Sequence, residues 1–131
     1  MARILVTGGA GYIGSHTAVE LMQQGYDVTI VDNLSNSNVD VLDGITAIVG
    51  RRPEFANIDC NDFVNLDSVF RQYPDIVGVI HFAASKAVGE SVQKPLLYYR
   101  NNIGSLITLL EVMKRHQVQN IVFSSSCTVY G

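Results

Sequence analysis

Short apolar runs alternate along this chain with longer segments whose apolar residues recur at helical spacing. Apolar runs of this length predict buried strands, and the spacing between them predicts helices with one apolar face. Five strands are predicted: the run that begins at Arg3, Asp27–Val31, Pro53–Ile58, Ile76–Phe82 and Asn120–Phe123. The run at Ile76 is almost wholly apolar, which is typical of a central parallel strand covered on both faces.

Four helices are predicted between these strands. They run from the glycines after the first strand to about Gln24, weakly over 39–49, from a cap at Asp62 to Pro74, and from about Leu96, just after Pro95, to Arg115. This alternation predicts an α/β fold with a doubly wound parallel sheet and right-handed connections. Ligands of such sheets bind beyond the carboxyl ends of the strands, and the polar segments discussed next lie at those ends.

The first of these segments is rich in glycine. Gly8, Gly11 and Gly14 form the pattern G-x-x-G-x-x-G between the first strand and the first helix. One glycine permits the tight turn, one lets the backbone approach a pyrophosphate, and one lets the helix pack closely on the strand. The free N–H groups at the helix N-terminus then face the phosphates. The pattern therefore predicts a dinucleotide site on a Rossmann-type sheet.

Asp32 follows the second strand. A carboxylate at this point accepts hydrogen bonds from both ribose hydroxyls of adenosine and repels a 2′-phosphate, so NAD is favoured over NADP. An isolated aspartate followed by Asn33 is more often a turn or capping residue. The glycine-rich turn upstream favours the cofactor role here.

Three further residues are interpreted from their place in the sheet. Asp59 follows the third strand, where it is predicted to accept from the adenine amino group, although a surface turn is the alternative. Cys60 is expected to contribute backbone and packing rather than thiol chemistry. His81 lies within an apolar strand and is interpreted as a hydrogen-bonded core residue, not as a catalyst.

Three more polar segments lie where the crevice is expected. Ala83, Ala84 and Ser85 are small enough to pass beside a cofactor, and Lys86 reaches ribose hydroxyls or phosphates unless it is simply solvated. Asn101 and Asn102 lie within the long predicted helix although asparagine is a poor helix former. This suggests that one of the two amides faces the nicotinamide pocket. Ser124–Ser126 follow the fifth strand and are expected to hydrogen-bond a substrate, because no His or Cys is placed to activate a nucleophile.

Composition narrows the class of protein. The 131 residues predict a single domain, 1–131, of which 47% are hydrophobic and 16% charged. A net charge of −3 without a basic face argues against nucleic acid as a partner, and no apolar run is long enough to span a membrane. Cys60 and Cys127 lie far apart, without metal-ligand spacing, which favours a reduced cytoplasmic setting and no metal.

Together these motifs resemble the extended short-chain dehydrogenase/reductase family and, within it, the UDP-hexose 4-epimerases. The resemblance covers the whole chain and is carried by Thr7–His16, Asp32–Leu34, His81–Ser91, Tyr98–Asn102 and Ser124–Gly131. Its least generic part is Lys86–Pro95, which differs from the nucleotide-sugar dehydratases and decarboxylases of the same fold.

The resemblance implies a role for each segment. Tyr12 and Ile13 would contact the pyrophosphate, and Asp59 and Cys60 would bound the adenine. The remaining cofactor contacts would come from Asp32, Asn33, Leu34, Ser35, Asn36 and Ser37 around the ribose, and from Phe82, Ala83, Ala84, Ser85, Lys86, Asn101 and Ser124 toward the nicotinamide. Ser126 would hydrogen-bond O4 of a UDP-hexose while NAD transiently accepts a hydride from C4.

The chain departs from this family in two ways. The glycine of the long helix is Gly104, where the family often has it at the position of Ser105. The Tyr-x-x-x-Lys pair that supplies the family's base does not occur in these residues. We therefore expect an N-terminal part without the substrate-binding part, inactive by itself and homodimeric when complete. A dehydratase of the same fold and a non-catalytic dinucleotide-binding module are the alternatives.

Overall fold

The computed structural model describes residues 2–8, 12–32, 40–82 and 95–123. In these ranges the strands are β1 (Arg3–Thr7), β2 (Asp27–Val31), β3 (Glu54–Ala56), β4 (Ile76–His81) and β5 (Asn120–Phe123). The helices are α1 (Tyr12–Gln23), α2 (Asp40–Val49), α3 (Phe63–Gln72) and α4 (Pro95–Arg115). Strands and helices alternate as the sequence predicts.

The five strands form one parallel sheet in the order β3-β2-β1-β4-β5. β1 occupies the centre, where its last residue, Thr7, is in register with Val31 of β2 and His81 of β4. The predicted doubly wound parallel fold is therefore confirmed. The order also reverses direction at β1, because β2 and β3 lie on one side of it and β4 and β5 on the other.

Each face of the sheet is covered by its own apolar cluster. Leu5 and Val6 are neighbours in β1, fully buried, and belong to different clusters because successive strand residues point to opposite faces. Leu5 packs with residues of α3 and α4, among them Leu66, Phe70, Leu109 and Val112. Val6 packs with residues of α1 and α2, among them Ala18, Met22, Leu42 and Ile45. The apolar runs that predict buried strands are thus explained by helices on both faces.

The ends of the helices follow the expected signals. Asp62 caps α3, since its carboxylate accepts from the Asn65 N–H at 3.2 Å. Pro95 is the first residue of α4, where its missing N–H costs nothing. Gly25 ends α1 with φ +97°, and its N–H donates to the Met22 carbonyl at 3.1 Å.

The ends of two strands differ from the prediction. β3 spans only Glu54–Ala56, because the Ile58 N–H bonds to the Ala56 carbonyl at 3.1 Å and turns the chain out of the sheet. β4 ends at His81 rather than at Phe82. The buried stripe of α1, among its described side chains, is Gly14, Ala18 and Met22, each four positions from the next.

Asp67 joins α3 to the C-terminal end of α4. Its carboxylate, of which 9% is exposed, contacts Arg71 at 3.2 Å, Arg115 at 3.1 Å and His116 at 2.7 Å. The His116 ring also stacks on Phe70, with 5.5 Å between the ring centroids. The hydrogen bond with His116, followed by that with Arg115, lowers the pKa of Asp67. A charged Asp67 therefore fixes the two helices that cover one face of the sheet.

We expect Asp67→Asn to lower the free energy of unfolding at neutral pH more than Asp43→Asn does. Asp43 pairs with Arg52 at 2.6 Å, but both side chains are at least half exposed, and such pairs contribute little. Because the pKa of Asp67 is lowered in the folded protein, its stabilisation is present above the ordinary carboxyl pKa and disappears as the pH falls through the lowered value. Urea unfolding near pH 7 and about pH 2 measures this. Equal losses for the two variants near pH 7 would contradict the assignment.

Candidate cofactor-binding site

The candidate site lies where β1 and β4 end side by side. The strand order reverses direction at β1, and in doubly wound sheets the chain segments that follow two such strands leave toward opposite faces, which opens a crevice. The glycine-rich turn follows β1 and the segment predicted to line the cofactor follows β4. The fold therefore brings together the first residues, Gly8 and Phe82, of two segments that the sequence assigns to the same ligand.

Gly8, the first residue after β1, lies against Phe82, the first residue after β4. Its φ is +71°, a conformation that glycine adopts without cost. A Cβ at this position would stand 2.9 Å from the Phe82 carbonyl carbon, closer than two such atoms approach. The Gly8 N–H also donates to the Val31 carbonyl at 2.7 Å. Gly8 is thus required twice, by its backbone angle and by the backbone of Phe82.

The rest of the turn leads into α1. The helix begins at Tyr12, so Tyr12 and Ile13 lie in its first turn, where backbone N–H groups have no partner within the helix. No acidic residue stands in that first turn to compete with an anion. Gly14 is buried on the stripe that faces the sheet, as the close-packing role predicts. Gly11 and the side chains of Tyr12 and Ile13 lie outside the described residues.

Thr7 and His81 join the ends of β1 and β4 through their side chains. The Thr7 hydroxyl lies 2.6 Å from His81 Nδ1, and both residues are buried, at 0% and 2% exposure. Burial lowers the pKa of His81 to about 4, so its ring is neutral at physiological pH. The interpretation of His81 as a hydrogen-bonded core residue is confirmed. Its partner was not identified from the sequence, because 74 residues separate the two.

Three predicted site residues meet at the ends of β2 and β3. Asp32 is half-buried directly after β2, and its N–H donates to the Ala56 carbonyl at 3.2 Å. Cys60 is 5% exposed, and burial, with added repulsion from the Asp59 and Asp32 carboxylates, raises the pKa of its thiol to about 12. The thiol therefore stays protonated, in line with a packing role, and two carboxylates lie near it.

Asp59 lies in the surface turn that was its alternative reading. It is exposed, and its Oδ1 accepts from the Asn61 N–H at 2.8 Å and from the Asn61 side-chain amide at 3.2 Å. A Cβ at Gly104 of α4 would stand 2.8 Å from the Asn61 Oδ1. Gly104 therefore makes room for Asn61, which holds one oxygen of Asp59. Asn61 was not predicted as part of the site, because nothing singles it out in the sequence except that it lies two residues after Asp59.

The remaining predicted site residues cannot be placed in the same detail. Asn33, Leu34, Ser35, Asn36, Ser37, Ala83, Ala84, Ser85, Lys86, Ser124 and Ser126 lie outside the described residues, as does the side chain of Asn101 in α4. In the described ranges, no helix is sufficiently long and apolar to cross a membrane, and no three His, Cys, Asp or Glu side chains gather as metal ligands do. The part of the site that the structure describes is its glycine and carboxylate framework.

Comparison with known proteins identifies the class to which this framework belongs. The family described as the NAD dependent epimerase/dehydratase family matches residues 4–131. The chain belongs to that family.

Individual relatives are more specific. The chain is 56% identical to the UDP-glucose 4-epimerase uge1 of Schizosaccharomyces pombe, over 98% of this chain and 36% of that protein. It is 59% identical to the bifunctional protein GAL10 of Pachysolen tannophilus, over 100% of this chain and 19% of that protein. The resemblance read from the motifs is thus confirmed, with the chain matching only an N-terminal part of such enzymes.

Solved structures agree with this result. The UDP-glucose-4-epimerase of Stenotrophomonas maltophila, crystallised with NAD and formylated UDP-arabinopyranose, is 49% identical with a TM-score of 0.92. The enzyme of Bifidobacterium longum, in complex with NAD+ and UDP, gives the same two values. The match covers 100% and 99% of this chain but only 39% and 38% of those chains.

We expect Gly8→Ala to cost more stability than Gly25→Ala. Both glycines have positive φ, so each alanine pays about 1–2 kcal/mol of backbone strain. Only at Gly8 does the new Cβ also meet backbone, at 2.9 Å from Phe82, whereas nothing lies within 4 Å at Gly25. The difference between the two variants in free energy of unfolding, measured with urea, isolates the contact. Equal costs would show that the ends of β1 and β4 are not in tight contact.

Proposed function

We propose that this chain is the NAD-binding part of a UDP-glucose 4-epimerase. The observation that carries the proposal is the junction of Gly8 with Phe82 at the reversal of strand order, in a family named for NAD-dependent epimerases. Structural neighbours with TM-scores of 0.92 bind NAD, and one of them binds UDP. We extend that binding to this chain.

The described residues fit a dinucleotide. The residues after Gly8 precede the N-terminus of α1, whose first backbone N–H groups have no partner within the helix, so the pyrophosphate belongs there. Asp32 lies one strand away, at the distance in sequence that suits the adenosine ribose. Asp59 and Asp32 both lie near the Cys60 thiol. At this position the Asp59 carboxylate accepts a hydrogen bond from the adenine amino group. The three contacts follow the carboxyl edge from β1 to β3.

The chemistry follows from this binding mode. NAD, when bound, supplies reversible hydride acceptance at C4 of the hexose. The chain's own contribution is to hold the dinucleotide and to present Ser126 to O4 of the sugar. Lys86 and Asn101 orient the nicotinamide half of the cofactor. The chain lacks a Tyr-x-x-x-Lys pair, so no group in these residues takes the O4 proton. The 131 residues alone therefore do not epimerise.

The relatives favour this function over the two alternatives. Dehydratases belong to the same family. The relatives described above, however, are UDP-glucose 4-epimerases and the bifunctional protein GAL10. A non-catalytic dinucleotide-binding module would not need Ser126 and Lys86 at the substrate side. We place the complete protein in the cytoplasm as a homodimer, with UDP-hexose as its substrate and galactose metabolism as its context.

The NAD assignment predicts that Asp32→Ala weakens NAD binding at least about tenfold. Hydrogen bonds to a charged group contribute about 1.5–3 kcal/mol, and Asp32 would make two with the ribose. Asp75→Ala is the matched control, because it removes the same charge at the opposite edge of the sheet, where Asp75 pairs with Arg3 at 3.0 Å. Calorimetric titration with NAD and NADP measures both. Tighter binding of NADP than of NAD by the unsubstituted protein would overturn the assignment.

The epimerase assignment predicts that Ser126→Ala reduces turnover of UDP-galactose while the protein's NAD content is unchanged. Loss of one transition-state hydrogen bond costs about 2.7–4 kcal/mol, or roughly 10²–10³ in kcat. Ser68→Ala, the same change on the exposed face of α3, is expected to leave turnover unaltered. The test uses the complete protein that carries this chain. Near-normal turnover of Ser126→Ala would remove the serine from the reaction.

A further inference from the structure

The hydrogen bond between Thr7 and His81 is more than the sheet requires. Backbone bonds already join β1 to β4 at this level, since the Phe82 N–H donates to the Thr7 carbonyl at 2.9 Å. An apolar pair in the same two positions would pack without the cost of burying a hydroxyl and an imidazole. The directional bond of 2.6 Å therefore needs a reason other than strand pairing.

The Thr7 hydroxyl has a second contact that points to the reason. It accepts from the Phe82 N–H at 3.1 Å, so one hydroxyl holds both the last residue of β4 and the first residue after it. Gly8, the residue after Thr7, lies so near Phe82 that a Cβ on it would stand 2.9 Å from the Phe82 carbonyl carbon. A shift of Phe82 away from Thr7 would therefore change the gap between the two segments that border the crevice.

Electrostatics give His81 no part in the chemistry itself. Its ring is 2% exposed and neutral, so it neither reaches a ligand in the crevice nor delivers charge to one. It contacts the Thr7 hydroxyl, and that hydroxyl in turn accepts from the N–H of Phe82, the first residue after β4.

We propose that Thr7 and His81 are positioning residues that set the spacing between Gly8 and Phe82, the residues that directly follow β1 and β4, and thereby the fit of a dinucleotide at that junction. This inference rests on the proposed function, because it concerns the binding of NAD at that junction. A ligand that spans the junction senses the spacing, whereas one that occupies only the adenosine side does not. The two kinds of ligand separate positioning from general stability.

The test compares Thr7→Val, which removes the hydroxyl at constant shape, with Thr7→Ser, which restores it. Thr29→Val is the control, because Thr29 is also fully buried and its hydroxyl accepts from Arg3 at 2.9 Å, but it lies in the middle of β2. The free energy of unfolding and the Kd values of NAD and AMP are measured for each variant of the complete protein.

We expect Thr7→Val to weaken NAD binding about five- to tenfold and AMP binding less than about twofold, with recovery in Thr7→Ser. Thr29→Val is expected to lose stability without losing NAD affinity. Unchanged NAD affinity in Thr7→Val, an equal loss for NAD and AMP, or the same NAD loss in Thr29→Val would overturn the inference. Absence of NAD binding by the unsubstituted protein would instead overturn the proposed function.

If Thr7→Val does not fold, substitutions of His81 test the same hydrogen bond from its other partner. Asparagine places a polar atom near the position of Nδ1, whereas glutamine places it near Nε2. We therefore expect His81→Asn to keep most of the NAD affinity and His81→Gln to lose it about five- to tenfold. Equal NAD affinity in the two variants would overturn the inference.

Discussion

The close approach of Phe82 to Gly8 is the constraint on which the site depends. A Cβ on Gly8 would stand only 2.9 Å from the Phe82 carbonyl carbon. The backbone just after β4 therefore occupies the space that a side chain at residue 8 would need. A Rossmann-type sheet needs such an approach where its order reverses, since both bordering segments start there. Thr7 and His81 reinforce the approach from within the core, and Asp32 lies one strand farther along the same edge.

Many of the helix ends are determined by local sequence signals. Gly25, Asp62 and Pro95 each act through their own backbone or a neighbour within a few residues, so the helix ends they mark were predictable from the sequence. β3 was predicted too long, because Pro53–Ile58 is apolar enough for a strand, whereas a bond from the Ile58 N–H to the Ala56 carbonyl ends it. Hydropathy does not report a turn made by backbone alone.

The site was predictable in its residues but not in its contacts. Gly8 and Asp32 belong to a spacing pattern, which the sequence displays directly. The pairs Thr7–His81 and Asn61–Gly104 depend on which strand and helix meet, and the residues of each pair are 74 and 43 positions apart. No local pattern connects such residues, so their contacts follow only from the sheet order and the register.

The central position of β1 has a consequence for how the protein is made. Of the five strands of this sheet β1 is synthesised first, yet one of its two partners, β4, begins only at Ile76. At roughly 5–20 residues per second, about 4–15 seconds of translation separate Thr7 from His81. During that interval an apolar strand lies exposed along one edge, which is an opportunity for chaperones to bind. β1 therefore gains its second partner only after β2 and β3 have been made on its other side, and the edge strand β5 follows last.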